Sequence, residues 1–364
     1  MSLARKATQG AMWTVGTSLA TRVVGLVGTL VITRFLTPAE SGETTAAWNM
    51  IMSASLLTGF GLGNYYIVKG GGREVGFHMT VYSLLLGVVG LGLVWVLDDR
   101  LSASMDMPGV AQYVPGLILA AALRRIIVMP QRVLVHTLRF RRLSMARAAG
   151  ELTYVASSLG LAWAGHGGFA IVYANILQYG VEALLILTAV SWREWLQPCR
   201  LSWERTKDMF RFGLPLGFNA FLSYGSQNWD RLLYGYFFGP WEMGLYTLGY
   251  RLAEVPAAQI GDQINDVLLP SMTRLDPEAR ARAVTRSTAL LGLVIFPLAL
   301  GLALVAEPMV LLLLDDKWQG VGPFVAILSG ISIFHPLSST LGSYLLSYNQ
   351  TRALMIIGIF KVAA

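Results

Sequence analysis

The chain has 364 residues, of which 54% are hydrophobic and only 13% charged, and its mean hydropathy is +0.55. A soluble domain carries about 25% charge, so these figures exclude an ordinary water-soluble fold and point to a polytopic membrane protein. The net charge of +7 does not point to nucleic acid, because most basic residues sit in short connections between apolar runs, where membrane topology is written.

A helix needs about 20 apolar residues to cross the hydrocarbon layer. Runs of that length predict spans at 11–33, 44–68, 77–97, 110–129, 146–164, 168–190, 211–237, 243–268, 287–306 and 322–347, and an eleventh begins near Ala353. Arg5 and Lys6 precede the first run and no small-residue cleavage site follows it. It therefore reads as a retained transmembrane helix rather than a signal peptide. Inside lipid these segments must close their own backbone hydrogen bonds, which makes the fold class all-α. With the N-terminus in the cytoplasm, inside connections hold nineteen Lys and Arg and outside connections three, Arg34, Arg100 and Lys317. That asymmetry predicts a multi-pass membrane protein with its N-terminus in the cytoplasm.

Two short stretches echo each other, FLTPAESG (Phe35–Gly42) and FFGPWEMG (Phe237–Gly244). YSLLLG and RSTALLG, Pro115 and Pro323, and Arg142 and Arg352 follow in the same order at slowly growing offsets. The pattern predicts two parallel repeats around a central cavity. The first is a six-helix lobe over 1–200. The second, 201–364, stops in its fifth helix, so a full copy would need roughly 35–40 more residues. In the echo, proline ends one helix, Glu40 and Glu242 favour the positive end of the next, and Gly42 and Gly244 allow close packing.

Charge inside a span is costly and marks a cavity or a partner. Six basic residues fall within spans: Arg22, Arg124, Arg125, Arg231, Arg251 and Lys361. In 243–268, Arg251, Glu254, Gln259, Asp262, Asn265 and Asp266 share one helix face within about 140°. In 211–237, Asn219, Ser223, Ser226, Gln227 and Asp230 form a second polar stripe beside Arg231. Glu182 and Glu151 add carboxylates to 168–190 and 146–164. Arg22, Arg124 and Arg125 have no acid within a turn of their own helix and suit phosphate oxygens, which the guanidinium fork binds bidentately. Polar faces in both lobes imply a hydrated space between them. There is no Walker loop, and His78, His136, His166 and His335 lack metal-ligand spacing. The single cysteine, Cys199, permits no intrachain disulfide. GFGLGN at Gly59–Asn64 reads as a packing turn, not a dinucleotide loop.

GAMWTVGTSLATRVVGLVGTLVITRFLTPAESG, LLTGFGLGNYYIVK and LRFRRLSMARAAGELTYVASSLGLAWAGHGGFAIVY resemble the polysaccharide exporters and O-antigen flippases of the MATE-like multidrug/oligosaccharidyl-lipid/polysaccharide superfamily. So do NWDRLLYGYFFGPWEMGLYTLGYRLAEVPAAQIGDQINDVLLPSMTRL and DDKWQGVGPFVAILSG. The resemblance implies alternating-access export of an undecaprenyl-diphosphate-linked glycan across the bacterial inner membrane, and no catalysis. It makes Arg22, Arg124, Arg125, Arg231 and Arg251 the expected cations for the diphosphate. Asp230, Glu254, Asp262, Asp266 and Glu182 become candidates for a coupling proton or sodium ion, with no other cofactor. Polysaccharide polymerase and glycosyltransferases are the implied protein partners, and nucleic acid is not a partner. The alternative is a cation-coupled drug antiporter, which the arginines oppose. A membrane enzyme would need a large outside loop, and the longest here runs only from Asp98 to Pro108.

Overall fold

A computed structural model describes residues 24–68, 71–104, 106–272 and 276–347. Among these residues the fold is helical throughout, with no strand. Helix α1 is described over 24–32. It is followed by α2 (Pro38–Leu57), α3 (Leu62–Val68), α4 (Arg73–Ser104), a 3-10 turn at Pro108–Tyr113, α5 (Val114–His136), α6 (Phe140–Trp163), α7 (Phe169–Ala189) and α8 (Trp192–Trp195). Then come α9 (Trp203–Met272), α10 (Pro277–Leu313), a 3-10 turn at Asp316–Trp318, α11 (Val321–Ser332) and α12 (Phe334–Ser347).

Five described helical stretches are long and apolar enough to cross a membrane: Arg73–Ala103, Pro108–His136, Phe169–Ala189, Glu278–Leu313 and Val321–Ser338. The other predicted spans are helical where described, but interrupted or more polar. The run at 44–68 breaks at Thr58–Gly61, where Phe60 (φ 43°) and Gly61 (φ 56°) turn left-handed. α9 joins the predicted spans 211–237 and 243–268 across a single non-helical residue, Gly239 (φ 85°, ψ 176°). Val88, Val96 and Leu312 leave 73%, 75% and 83% of their surface uncovered. In water so continuous an apolar exterior would aggregate, whereas in lipid it is the solvent-facing surface.

Chain contacts divide the molecule into two compact units, Met1–Pro240 and Trp241–Ala364. The first part of α9 thus packs with the preceding helices. In the first unit, Leu62, Tyr65, Met79, Ile127, Leu134, Ile186, Trp195 and Met209 form one buried core that joins α3, α4, α5, α7, α8 and α9. Gly213 and Gly217 lie against the Phe60 backbone so tightly that a methyl group at either would collide with it. The segment between α7 and α9 is tied to α4 and to the connection between α5 and α6. The Ser202 N–H donates to His78 Nε2 (2.8 Å), the Thr80 hydroxyl donates to the Trp195 carbonyl (3.1 Å), and Arg139 faces Glu194 at 3.7 Å. Cys199 lies here, and burial pushes its thiol up from the ordinary cysteine range. In the second unit, Ala257, Leu291 and Ile295 pack with Ile333 and Leu337.

α2 starts as its sequence dictates. Pro38 occupies its first turn, the Thr37 hydroxyl accepts from the Glu40 N–H (3.3 Å), and Glu40 Oε2 accepts from the Thr37 N–H (2.8 Å). This reciprocal pair satisfies two amides that the helix leaves open. Glu40 Oε1 also accepts from the Gly168 N–H (3.2 Å), so the same carboxylate holds the start of α7.

Candidate substrate-binding site

Several aromatic and polar groups of the first unit meet residues on one side of α2. Trp48, Asn49, Met52 and Ser53 recur at the spacing that keeps residues on one helix face. The Trp48 ring stacks on Tyr179 of α7, with centroids 6.0 Å apart and planes 12° from parallel. The Arg124 guanidinium of α5 lies over the same Tyr179 ring, 5.9 Å from its centroid, and also contacts Met52 Sδ. A ring face carries partial negative charge, so this position favours a cation.

Beside them the first part of α9 meets α2 through side chains. The Tyr224 hydroxyl donates to Asn49 Oδ1 (2.9 Å), and the Trp229 indole N–H donates to Ser53 Oγ (3.4 Å). Phe221 stands edge-on to Trp229, with centroids 5.0 Å apart. Asn228 donates to the Tyr224 carbonyl (3.0 Å) and accepts from Arg231 (3.3 Å). Asn49 is 3% exposed, and its amide nitrogen has no hydrogen-bond partner among the described residues.

The two adjacent arginines do different things. Arg124 is exposed. Arg125 spends its whole guanidinium on backbone carbonyls: Nε donates to Ser83, and the two terminal nitrogens donate to Ser55 and Thr58, each at 2.9 Å. Ser55 and Thr58 close the last turn of α2, where carbonyls lack helical partners and the helix dipole is negative. A fixed cation there replaces the hydrogen bonds lost when the chain turns at Phe60.

Glu182 is buried at 6% exposure. Its Oε1 accepts from Gln131 (2.8 Å) and faces Arg147 at 3.9 Å. Arg147 also donates to Gln131 (3.4 Å), so α5, α6 and α7 share one polar junction. One turn away, Gln178 donates to Glu151 (3.2 Å). Among the described residues no group of three His, Cys, Asp or Glu side chains could hold a metal ion.

Of the ten residues singled out from the sequence, Arg124, Arg125, Glu182, Asp230 and Arg231 belong to the first unit. Arg251, exposed, and Glu254, half-buried, belong to the second. Asp262 and Asp266 fall in the helical run of α9, but their side chains lie outside the described residues, as does the whole of Arg22. The charge-led reading passed over Trp48, Asn49, Tyr179, Tyr224 and Trp229. The signal for two of them was present, because Tyr224 and Trp229 interleave with the polar stripe of 211–237.

The family model for polysaccharide biosynthesis proteins matches residues 31–323. The chain belongs to that family. It is 23% identical to the lipopolysaccharide biosynthesis protein WzxC of Escherichia coli K12, over 99% of this chain and 74% of the relative. It is 22% identical to the teichuronic acid biosynthesis protein TuaB of Bacillus subtilis, over 100% and 77%. Among solved structures it resembles the lipid II flippase MurJ in an inward closed conformation, with a TM-score of 0.75 at 10% identity over 92% of this chain and 76% of that one. An inward-facing multidrug MATE transporter gives 0.59 at 15% identity, over 92% and 87%. These likenesses place a family member of the polysaccharide type on the fold of multi-pass transporters.

Proposed function

We propose that the protein moves a lipid-diphosphate-linked oligosaccharide or polysaccharide precursor across the bacterial inner membrane by alternating access, with its N-terminus in the cytoplasm. Family membership supports the substrate class, and the observation that carries the reading is Arg124. An exposed guanidinium in the middle of a membrane-spanning stretch is retained only for a partner. Apart from one terminal nitrogen against the weak acceptor Met52 Sδ, its donors are available to a diphosphate, which a guanidinium binds through paired charge-assisted hydrogen bonds. Arg125 is then a positioning residue that holds the end of α2 where Trp48 and Asn49 need it. Arg22, Arg231 and Arg251 remain further candidates for the diphosphate. Asp230, Glu254, Asp262, Asp266 and Glu182 remain candidates for binding the coupling proton or sodium ion. The lipid is undecaprenyl diphosphate, and polymerase and glycosyltransferases act before and after the transfer. The repeats over 1–200 and 201–364 are the two lobes that alternate.

The test is made in the native host with the chromosomal gene deleted. The deletion removes surface polymer and accumulates its lipid-linked precursor. Wild-type protein restores export, and Arg124→Ala does not, although it reaches the membrane in equal amount. Full export by Arg124→Ala would remove that residue from the site. A deletion strain that keeps its polymer and becomes drug-sensitive would favour the antiporter instead.

A further inference from the structure

We infer that Trp48 and Asn49, with Tyr224 and Trp229, form a sugar-recognising belt that reads the first residues of the glycan. The inference rests on the flipping function above and assigns to these residues a contact separate from the diphosphate.

Three observations converge. Trp48 and Trp229 are half-buried, so neither ring is fully covered, and Trp48 shares Tyr179 as a ring neighbour with Arg124. Sugar rings present faces of polarised C–H bonds, which suit the negative face of an indole. Next, the Asn49 amide is buried and only half used. Tyr224 takes one end, and the other has no partner among the described residues. Turning the amide over only changes which atom is left. Such an atom costs stability unless a ligand hydroxyl completes it. Last, hydrogen bonds between two helices fix the groups in place, Asn49 and Ser53 on α2, Tyr224 and Trp229 on α9. Aromatic faces with one or two fixed amides and hydroxyls match a polyhydroxylated ring better than a lipid tail or a drug cation. A site that hydrogen-bonds a substrate hydroxyl also rejects ligands that lack it.

The belt and the phosphate anchor separate experimentally. Purified protein is titrated with the lipid-linked oligosaccharide extracted from the deletion strain, and with undecaprenyl diphosphate, the same lipid without sugar. Wild type should bind the glycan-bearing form at least tenfold more tightly. Asn49→Ala and Trp48→Leu should lower that preference below about twofold, the larger loss falling on the glycan-bearing form. Arg124→Ala should weaken both ligands by the same factor. Equal wild-type affinity for the two ligands, or a tenfold preference kept by the variants, would overturn the belt. If Asn49→Ala does not accumulate, Trp48→Leu against Trp48→Phe decides: Phe keeps a ring face and should keep the preference, and equal behaviour of the two overturns the proposal. Wild-type protein that binds neither ligand overturns the flipping reading and the belt with it. A lost belt beside an intact Arg124 effect overturns the belt alone.

Discussion

Arg124 and Arg125 are neighbours in sequence and opposites in role. On a helix they point about 100° apart, so one reaches the carbonyls that end α2 and the other lies over Tyr179. Removing the first strands three polar groups, and removing the second strands none in the described structure. Arg125→Ala should therefore lower the thermal unfolding midpoint, with a cost on the order of 2 kcal/mol. Arg125→Lys should recover only part, because a compact ammonium cannot span carbonyls of two helices as a planar fork does. Arg124→Ala should leave the midpoint within experimental error. Scanning fluorimetry on the three purified variants checks this, and equal midpoints for Arg124→Ala and Arg125→Ala would remove the distinction. The sequence located both charges in a span, but it could not separate them. The deciding partners, Ser55 and Thr58, become acceptors only because α2 ends there, and an unbroken apolar run conceals that end.

At the scale of elements, helix starts were the most legible feature, because the capping chemistry is local. FLTPAESG and FFGPWEMG mark the start of α2 at Pro38 and the restart of α9 at Pro240. The residue before each proline carries the turn in a different way. Thr37 caps with its hydroxyl, and Gly239 adopts φ 85° and ψ 176°, a region open essentially to glycine alone. Thr37→Ala should cost about 1 kcal/mol, and Gly239→Ala about 1–3 kcal/mol. Unfolding of the purified variants measures both, and a larger loss at Thr37 than at Gly239 would contradict the assignment. The break between α2 and α3 was not legible as a break. GFGLGN signalled a turn, yet the run at 44–68 continued through it. What stabilises the turn is tertiary: the Arg125 clamp and the backbone of Phe60 against Gly213 and Gly217. Gly217→Leu should for that reason be far more disruptive than Phe218→Ala at an exposed position of the same helix. The amount of folded protein recovered by size-exclusion chromatography compares them.

For the molecule as a whole, membrane character follows from composition, but the sidedness of the chain depends on where its basic residues fall. Cys199 gives that arrangement a direct test, because it is the sole cysteine and lies in the basic segment between α7 and α9. If that segment faces the cytoplasm, a membrane-impermeant maleimide should leave Cys199 unlabelled in intact spheroplasts and label it after permeabilisation. Asp106→Cys in a Cys199→Ser background should label in both. The pH dependence has a definite sign. Burial favours the neutral thiol, so the Cys199 thiolate is scarcer near neutrality than that of a free cysteine. Because the thiolate is the nucleophile, labelling of permeabilised samples should be slow near neutral pH. It should accelerate as pH rises, with its midpoint above that of a small-molecule thiol. Labelling of Cys199 in intact spheroplasts would invert the topology. It would also move Arg139, Arg142 and Arg193 to the outer face, against the charge asymmetry that sets orientation. Rapid labelling that does not change with pH would leave the topology standing, but would show that Cys199 is not held in the half-buried place beside His78 that the structure gives it.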